Sequence, residues 1–245
     1  MLREAIEKIV ELAKVDVIEV EGNSFIAAKD GSGVQQIRPD TEFPKTLNLY
    51  SLDALVQMVK TEAPTAFTGP FYINAQGHDD VICYTQPLDV LRKRRGELYT
   101  VKAKDIPGWE ENVQFSFEEA LIAIRTRFQQ TPDSDYLLKL LSDITNGAKI
   151  TFTDNGIAST VVSQKGIALQ ENAVIRPIVR LKPYRTFQEV DKPESEFHIR
   201  VSERGIKFVE ADGGMWKLTA RRTVADYLAQ KLDEMVEAGE VIVTI

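Results

Sequence analysis

The triplet Asp154-Asn155-Gly156 stands between two runs rich in β-branched and aromatic residues, Ile150 to Thr153 and Ile157 to Val162. Asn and Gly accept the left-handed backbone that a tight turn needs, and such flanking runs suit a pleated strand, so this stretch is committed to an antiparallel hairpin. The same pattern recurs on both sides of it. Val17 to Val20 and Phe25 to Ala28 flank Gly22-Asn23, with a second turn at Asp30-Gly31-Ser32-Gly33. Phe71 to Asn74 and Val81 to Tyr84 flank Gln76-Gly77-His78-Asp79-Asp80. Thr46 to Tyr50, Leu98 to Lys104, Val174 to Leu181 and Phe197 to Val201 read as further strands, and Val241, Val243 and Ile245 alternate as a terminal one. Ile206 to Glu210 and Met215 to Thr219 read as a pair around the Ala211-Asp212-Gly213-Gly214 turn, with Trp216 a large apolar anchor on the second strand.

Helical spacing interrupts these strands. Leu2, Ile6, Ile9, Val10 and Ala13 share one face of an opening helix, and Ser51 is placed to cap a helix bearing Leu52, Leu55, Val56 and Val59. Ser116 and Glu119 have the spacing of a capping box, in which each side chain satisfies the other residue's free backbone N–H. The helix they open carries Ala120, Leu121, Ile124 and Phe128 inward. A second, with Ser134 as its expected cap, carries Leu137, Leu138, Leu141 and Ile144 and stops at Asn146-Gly147. A last helix through Val224, Tyr227, Leu228, Leu232, Met235 and Val236 ends at Gly239.

Together these elements predict an α+β fold: mostly antiparallel, hairpin-rich sheets packed against about four or five helices. Pro107-Gly108 interrupts two differently patterned halves. The expected organisation is an N-terminal α+β lobe over 1–104 tightly joined to a C-terminal α+β lobe over 105–245, and a single-domain reading fits as well.

Composition removes several classes of function. Hydrophobic residues make up 43% of the chain and charged residues 27%, as in ordinary globular proteins. A net charge of −7 with a pI near 5.1 disfavours nucleic-acid binding through the whole surface. The single cysteine, Cys83, lies in the apolar run Val81-Ile82-Cys83-Tyr84 and is expected in a core. The first residues mix acids with bases, unlike a signal peptide, and no run of eighteen apolar residues occurs, so a cytoplasmic protein without a membrane partner is expected.

The motifs of common chemistries are missing. Two histidines and one cysteine cannot build the usual zinc site. Carboxylate pairs that suit magnesium do occur, at Asp79-Asp80, Glu189 with Asp191, Glu194 with Glu196 and Glu210 with Asp212, but acidic pairs are common on solvated faces and no metal is assigned. No phosphate loop, dinucleotide fingerprint or nucleophile elbow appears, so no cofactor and no catalytic residue is assigned.

Two clusters remain as binding candidates. Arg92-Lys93-Arg94-Arg95, beside Gly96, suits phosphates, with Tyr99 nearby to stack on a base. Arg185, Glu189, Arg200, Glu210, Asp212 and Trp216 suit either a ligand or partner surface or a set of buried ion pairs.

Three stretches carry a family likeness: Arg180 to Val190, then Pro193-Glu194-Ser195-Glu196-Phe197-His198-Ile199-Arg200, then Glu210-Ala211-Asp212-Gly213-Gly214-Met215-Trp216-Lys217-Leu218. With Leu49-Tyr50-Ser51-Leu52, Leu55-Val56 and the helix from Phe117 to Phe128, they resemble a family of uncharacterised proteins encoded by temperate phages and prophages, mainly of Gram-positive bacteria. A looser likeness extends to a second phage-associated group of unknown function. The resemblance implies a setting, the cytoplasm of a bacterial host, and transfers no functional residue.

The leading expectation is a non-enzymatic phage protein that self-associates as a homo-oligomer and binds a protein or nucleic-acid partner, with Glu240 to Ile245 as an edge for pairing. The alternatives are a counter-defence protein that binds a signalling nucleotide or a host defence enzyme, and a metal-dependent phosphodiesterase or nuclease.

Overall fold

The opening helical spacing forms α1 (Leu2–Ala13), which precedes β1 (Val15–Val20), β2 (Asn23–Ala28) and β3 (Val34–Ile37). These three strands make an antiparallel sheet in the order β1-β2-β3, with Val20 opposite Asn23 and Ser24 opposite Ile37. A computed structural model describes residues 2–13, 15–20, 23–28, 33–37, 45–66, 69–85, 95–109, 112–146, 149–154, 159–165, 168–169 and 173–245. The turn residues Gly22, Asp30, Gly31, Ser32, Gly147, Asn155 and Gly156, and the strand residues Ile157 and Ala158, lie outside them. Met1–Pro44 is one compact unit and Lys45–Ile245 another.

The second unit runs through β4 (Leu47–Leu49), α2 (Leu52–Ala66), β5 (Phe71–Asn74), β6 (Asp80–Tyr84) and β7 (Glu97–Lys102). It continues with β8 (Gln114–Phe115), α3 (Phe117–Arg127), β9 (Phe128–Gln129), α4 (Pro132–Asn146), β10 (Lys149–Asp154), β11 (Ser159–Lys165), β12 (Ala168–Leu169) and β13 (Ala173–Val174). It closes with β14 (Ile178–Pro183), β15 (Ser195–Ser202), β16 (Gly205–Glu210), α5 (Met215–Lys231), α6 (Asp233–Glu237) and β17 (Val241–Thr244). The expected α+β class holds.

Among the described residues this unit has three sheets, and two of them carry its cores. One has the order β17-β5-β6-β7-β4, and the other β8-β16-β15-β14-β9. In the first, alternate residues such as Phe71, Ile73, Val81, Cys83 and Val101 are buried with Leu52, Leu55 and Val59 of α2 and Val224 and Leu228 of α5. In the second, Val179, Leu181, Phe197, Ile199 and Phe208 are buried with Ala120 and Ile124 of α3 and Leu137 and Leu141 of α4. The first core joins residues 52–101 to Phe187, Val190 and the segment from Val224 to Val241. The elements from β8 to β16 therefore form a lobe inserted in the chain between β7 and α5, whereas β4 to β7 and α5 to β17 make up the other lobe. The Asp154 hairpin forms with Asp154 opposite Ser159, and β12 and β13 both pair with β11.

Local signals account for the ends of the elements. The Ser116–Glu119 capping box is present, with the Ser116 N–H donating to Glu119 at 2.9 Å and the Glu119 N–H to Ser116 Oγ at 3.3 Å. Ser51 accepts from the Ala54 N–H at 3.1 Å. Cys83 is fully buried in β6, and burial pushes its thiol up to about 12.

Four expectations are corrected. Met215 to Thr219 is the first part of α5, and Trp216 sits on that helix. Its alternation covers too few residues to fix a strand, whereas Trp216, Ala220, Val224 and Leu228 are buried at a spacing of four. Gly213 and Gly214, at φ +63° and +80°, break the β16 backbone and turn it into that helix. At α4 the cap is Thr131, whose Oγ1 accepts from the Ser134 N–H at 3.1 Å; Ser134 lies inside the helix and accepts from the Thr131 N–H at 2.8 Å. Pro132 then occupies the first helical position, where a missing N–H costs nothing. The strand expected over Val174 to Leu181 is split into β13 and β14, with Pro177 in the gap. Finally, the last helix is two, α5 and α6, because Leu232 leaves helical geometry at φ −114° and ψ 24°.

Candidate functional site

Arg185 leaves the end of β14 and is buried, 7% exposed. Its guanidinium donates to Glu210 at the end of β16 and to Ser195 at the start of β15. The same group lies over Trp216, 3.4 Å from the ring centroid. Glu210 also accepts from the Trp216 indole N–H at 3.1 Å, and Ser195 donates to Asp212 at 2.9 Å. Asp212 accepts the Gly214 N–H at 2.9 Å, which pins the glycine turn. Arg185, Glu210, Asp212 and Trp216 thus come together. The side chains of the ion pair are only 8% and 10% exposed, so this is an internal joint.

The other lobe touches the joint through the β5–β6 turn. The His78 ring meets Trp216 edge-on at 4.7 Å, and its backbone carbonyl accepts from Thr186 at 2.6 Å. Partial burial lowers the His78 pKa, and the Lys217 and Arg185 cations lower it further against the raising influence of Asp79. The joint therefore links residues from both sheets.

Arg200 does not take part. It is exposed on β15 opposite Lys207. Glu189 is also elsewhere, accepting the Leu52 N–H of α2 at 2.7 Å. It caps a helix whose own sequence gives no sign of that partner, and a carboxylate there complements the positive end of the helix dipole. Beside it is an open cleft of about 540 Å³ lined by Tyr50, Ser51, Lys104, Asp105, Gln188 and Glu189. Lys104 lies over Tyr50 at 4.6 Å, while Gln188 donates to the Asp105 carbonyl at 3.4 Å.

The loop between Pro183 and Ser195 is organised by Lys192, which the sequence did not single out. Its buried ammonium donates to the carbonyls of Phe187 at 2.7 Å, Gln188 at 3.2 Å and Val190 at 2.6 Å. Burial lowers its pKa, against the raising influence of Glu189 and Asp191. A lysine in a polar segment reads as solvated, so only the fold shows it turned inward.

The acidic pairs are mostly engaged with partners of their own. Asp191 pairs with Lys182 at 3.1 Å, and Glu196 with Arg180 at 2.9 Å. Among the described residues no group of three or more His, Cys, Asp or Glu side chains is placed to hold a metal ion. Of the basic cluster, Arg92, Lys93 and Arg94 lie outside the described residues. Arg95 lies over Tyr72 at 3.8 Å and donates to the Thr85 carbonyl at 3.4 Å. Tyr99 is 1% exposed with its hydroxyl on Glu62, so its ring offers no stacking surface. No described helix is long and apolar enough to cross a membrane.

Compared with known proteins, the chain matches no family model, no curated protein and no solved structure.

Proposed function

We propose that the protein is a non-enzymatic, phage- or prophage-encoded protein of the bacterial cytoplasm that self-associates and binds a protein or nucleic-acid partner. The observation that carries this reading is the engagement of Arg185 with Glu210, Ser195 and Trp216 inside the fold. A cluster that could have served as a ligand surface is spent inside the fold, which supports recognition through other parts of the surface. The likeness of Arg180 to Leu218 to phage-encoded proteins supports the setting. A strand edge at β17 with no partner among the described residues supports self-association.

Sedimentation velocity over a wide concentration range tests the reading, and a concentration-dependent shift to a larger species is expected. A strict monomer throughout removes self-association. Labelled DNA and RNA incubated with the protein and magnesium or manganese should stay intact, and metal-dependent cleavage overturns the non-enzymatic reading.

A further inference from the structure

The geometry points to the outer edge of β17 as a homodimer interface, in which β17 pairs antiparallel with β17 of a second copy about a twofold axis at Val243. This rests on the self-association proposed above and names the surface responsible.

Among the described residues, β17 ends the sheet β17-β5-β6-β7-β4 and pairs with β5 alone, in parallel. The Phe71 N–H donates to the Glu240 carbonyl and the Ala75 N–H to the Thr244 carbonyl, each at 2.9 Å. In a parallel ladder bonding groups alternate along the strand, so Glu240, Ile242 and Thr244 face β5. Val241, Val243 and Ile245 therefore turn their N–H and C=O groups to the open side. Natural edges are blunted by lysine, proline, bulges or brevity. Val241-Ile242-Val243-Thr244-Ile245 has none of the charged or proline devices, and Ile242 and Ile245 are 39% and 45% exposed. The opposite edge, β4, is a three-residue strand with Asn48 at its centre.

The strand is complementary to itself. A twofold at Val243 sets Val241 against Ile245, Ile242 against Thr244 and Val243 against Val243, all β-branched pairs with no charge. The outward main-chain groups then meet in hydrogen-bonded register. The surrounding charge is polarised along the strand. Exposed Glu237 and Glu240 precede its first residue. At the far end, Arg221 donates to the Ala75 carbonyl at 3.0 Å, with exposed Arg222 beside it. An antiparallel pair brings the acidic end of each copy to the basic end of the other, which selects a second copy as the occupant.

The test uses Val243→Pro, which removes an outward N–H and leaves the bonds to β5 in place. Sedimentation of the full chain should show dimer affinity weakened by about 100-fold, since two bonds are lost at the twofold and the rings obstruct pairing. Near-ultraviolet circular dichroism should stay at wild type. In the Ile242→Cys/Thr244→Cys double variant the facing Cα atoms would lie about 4.5 Å apart, within disulfide range, so oxidation should yield a covalent dimer. Ile242→Cys alone should not cross-link. A dimer unchanged by Val243→Pro, with no cross-linking of the double variant, overturns this interface and leaves self-association standing. A wild-type chain that is monomeric throughout removes both.

Discussion

The Arg185 guanidinium lies over the Trp216 ring, 3.4 Å from the indole centroid, while both side chains bond the carboxylate of Glu210. The cation, the ring and the acid form a closed set in which each group satisfies another. Cutting one partner out of a buried ion pair strands a charge. Glu210→Gln should lower unfolding free energy by about 3–5 kcal/mol in urea titrations. Combining Arg185→Met with Glu210→Met should recover much of that loss, and a double variant as unstable as Glu210→Gln would contradict the pairing.

His78 links stability to pH. Its folded-state pKa lies below the ordinary 6.5, so the unfolded chain takes up a proton first as the solution is acidified. The favourable contribution is complete above about pH 6.5 and fades as pH falls toward the folded value. His78→Phe should remove that part of the slope while keeping an edge-on ring against Trp216. Parallel denaturation series at pH 7.5 and 5.5 measure it, and equal slopes in both proteins would count against this assignment.

Lys192→Met keeps the aliphatic stem and deletes the ammonium that three carbonyls share. Leaving buried acceptors unmatched should cost about 1–3 kcal/mol. Amide exchange should accelerate selectively between Tyr184 and Ser195. A global loss with no local change would mean that the loop does not depend on it.

Gly205 and Gly214 both have positive φ but differ in their surroundings. At Gly205, with φ +123°, an added Cβ would stand 1.9 Å from the Phe115 carbonyl oxygen. At Gly214, with φ +80°, it would meet nothing within 4 Å. Gly214→Ala should cost about 1–2 kcal/mol, the strain of a left-handed backbone. Gly205→Ala should cost more, because β8 must also retreat from β16. Melting curves that rank the two equally would contradict this.

How legible all this was in the sequence depended on the range of the interaction that decides it. Ser116 with Glu119 and the Asp154 hairpin are settled by neighbours, and both were readable. Met215 to Thr219 was misread because strand alternation and the start of a helical repeat look alike over five residues. The rest of the helix, through Leu228, resolves the ambiguity. β3 was missed because Gln35 and Gln36 interrupt its apolar pattern. Among candidate site residues, the structure brings Arg185, Glu210, Asp212 and Trp216 together. Nothing local could add His78, Ser195 or Lys192, or remove Arg200, since facing direction is set by the packing of distant strands.

The nested lobes bear on the order in which the protein is made. β5 leaves the ribosome long before β17, its partner from Val241 to Thr244, and the whole inserted lobe is translated between them. Segments with local contacts can settle during synthesis, whereas this parallel pairing has to wait. During that interval the β5 flank of the nascent sheet stays uncovered. A rare-codon pause before β17 should therefore lengthen the time in which a chaperone can reach it.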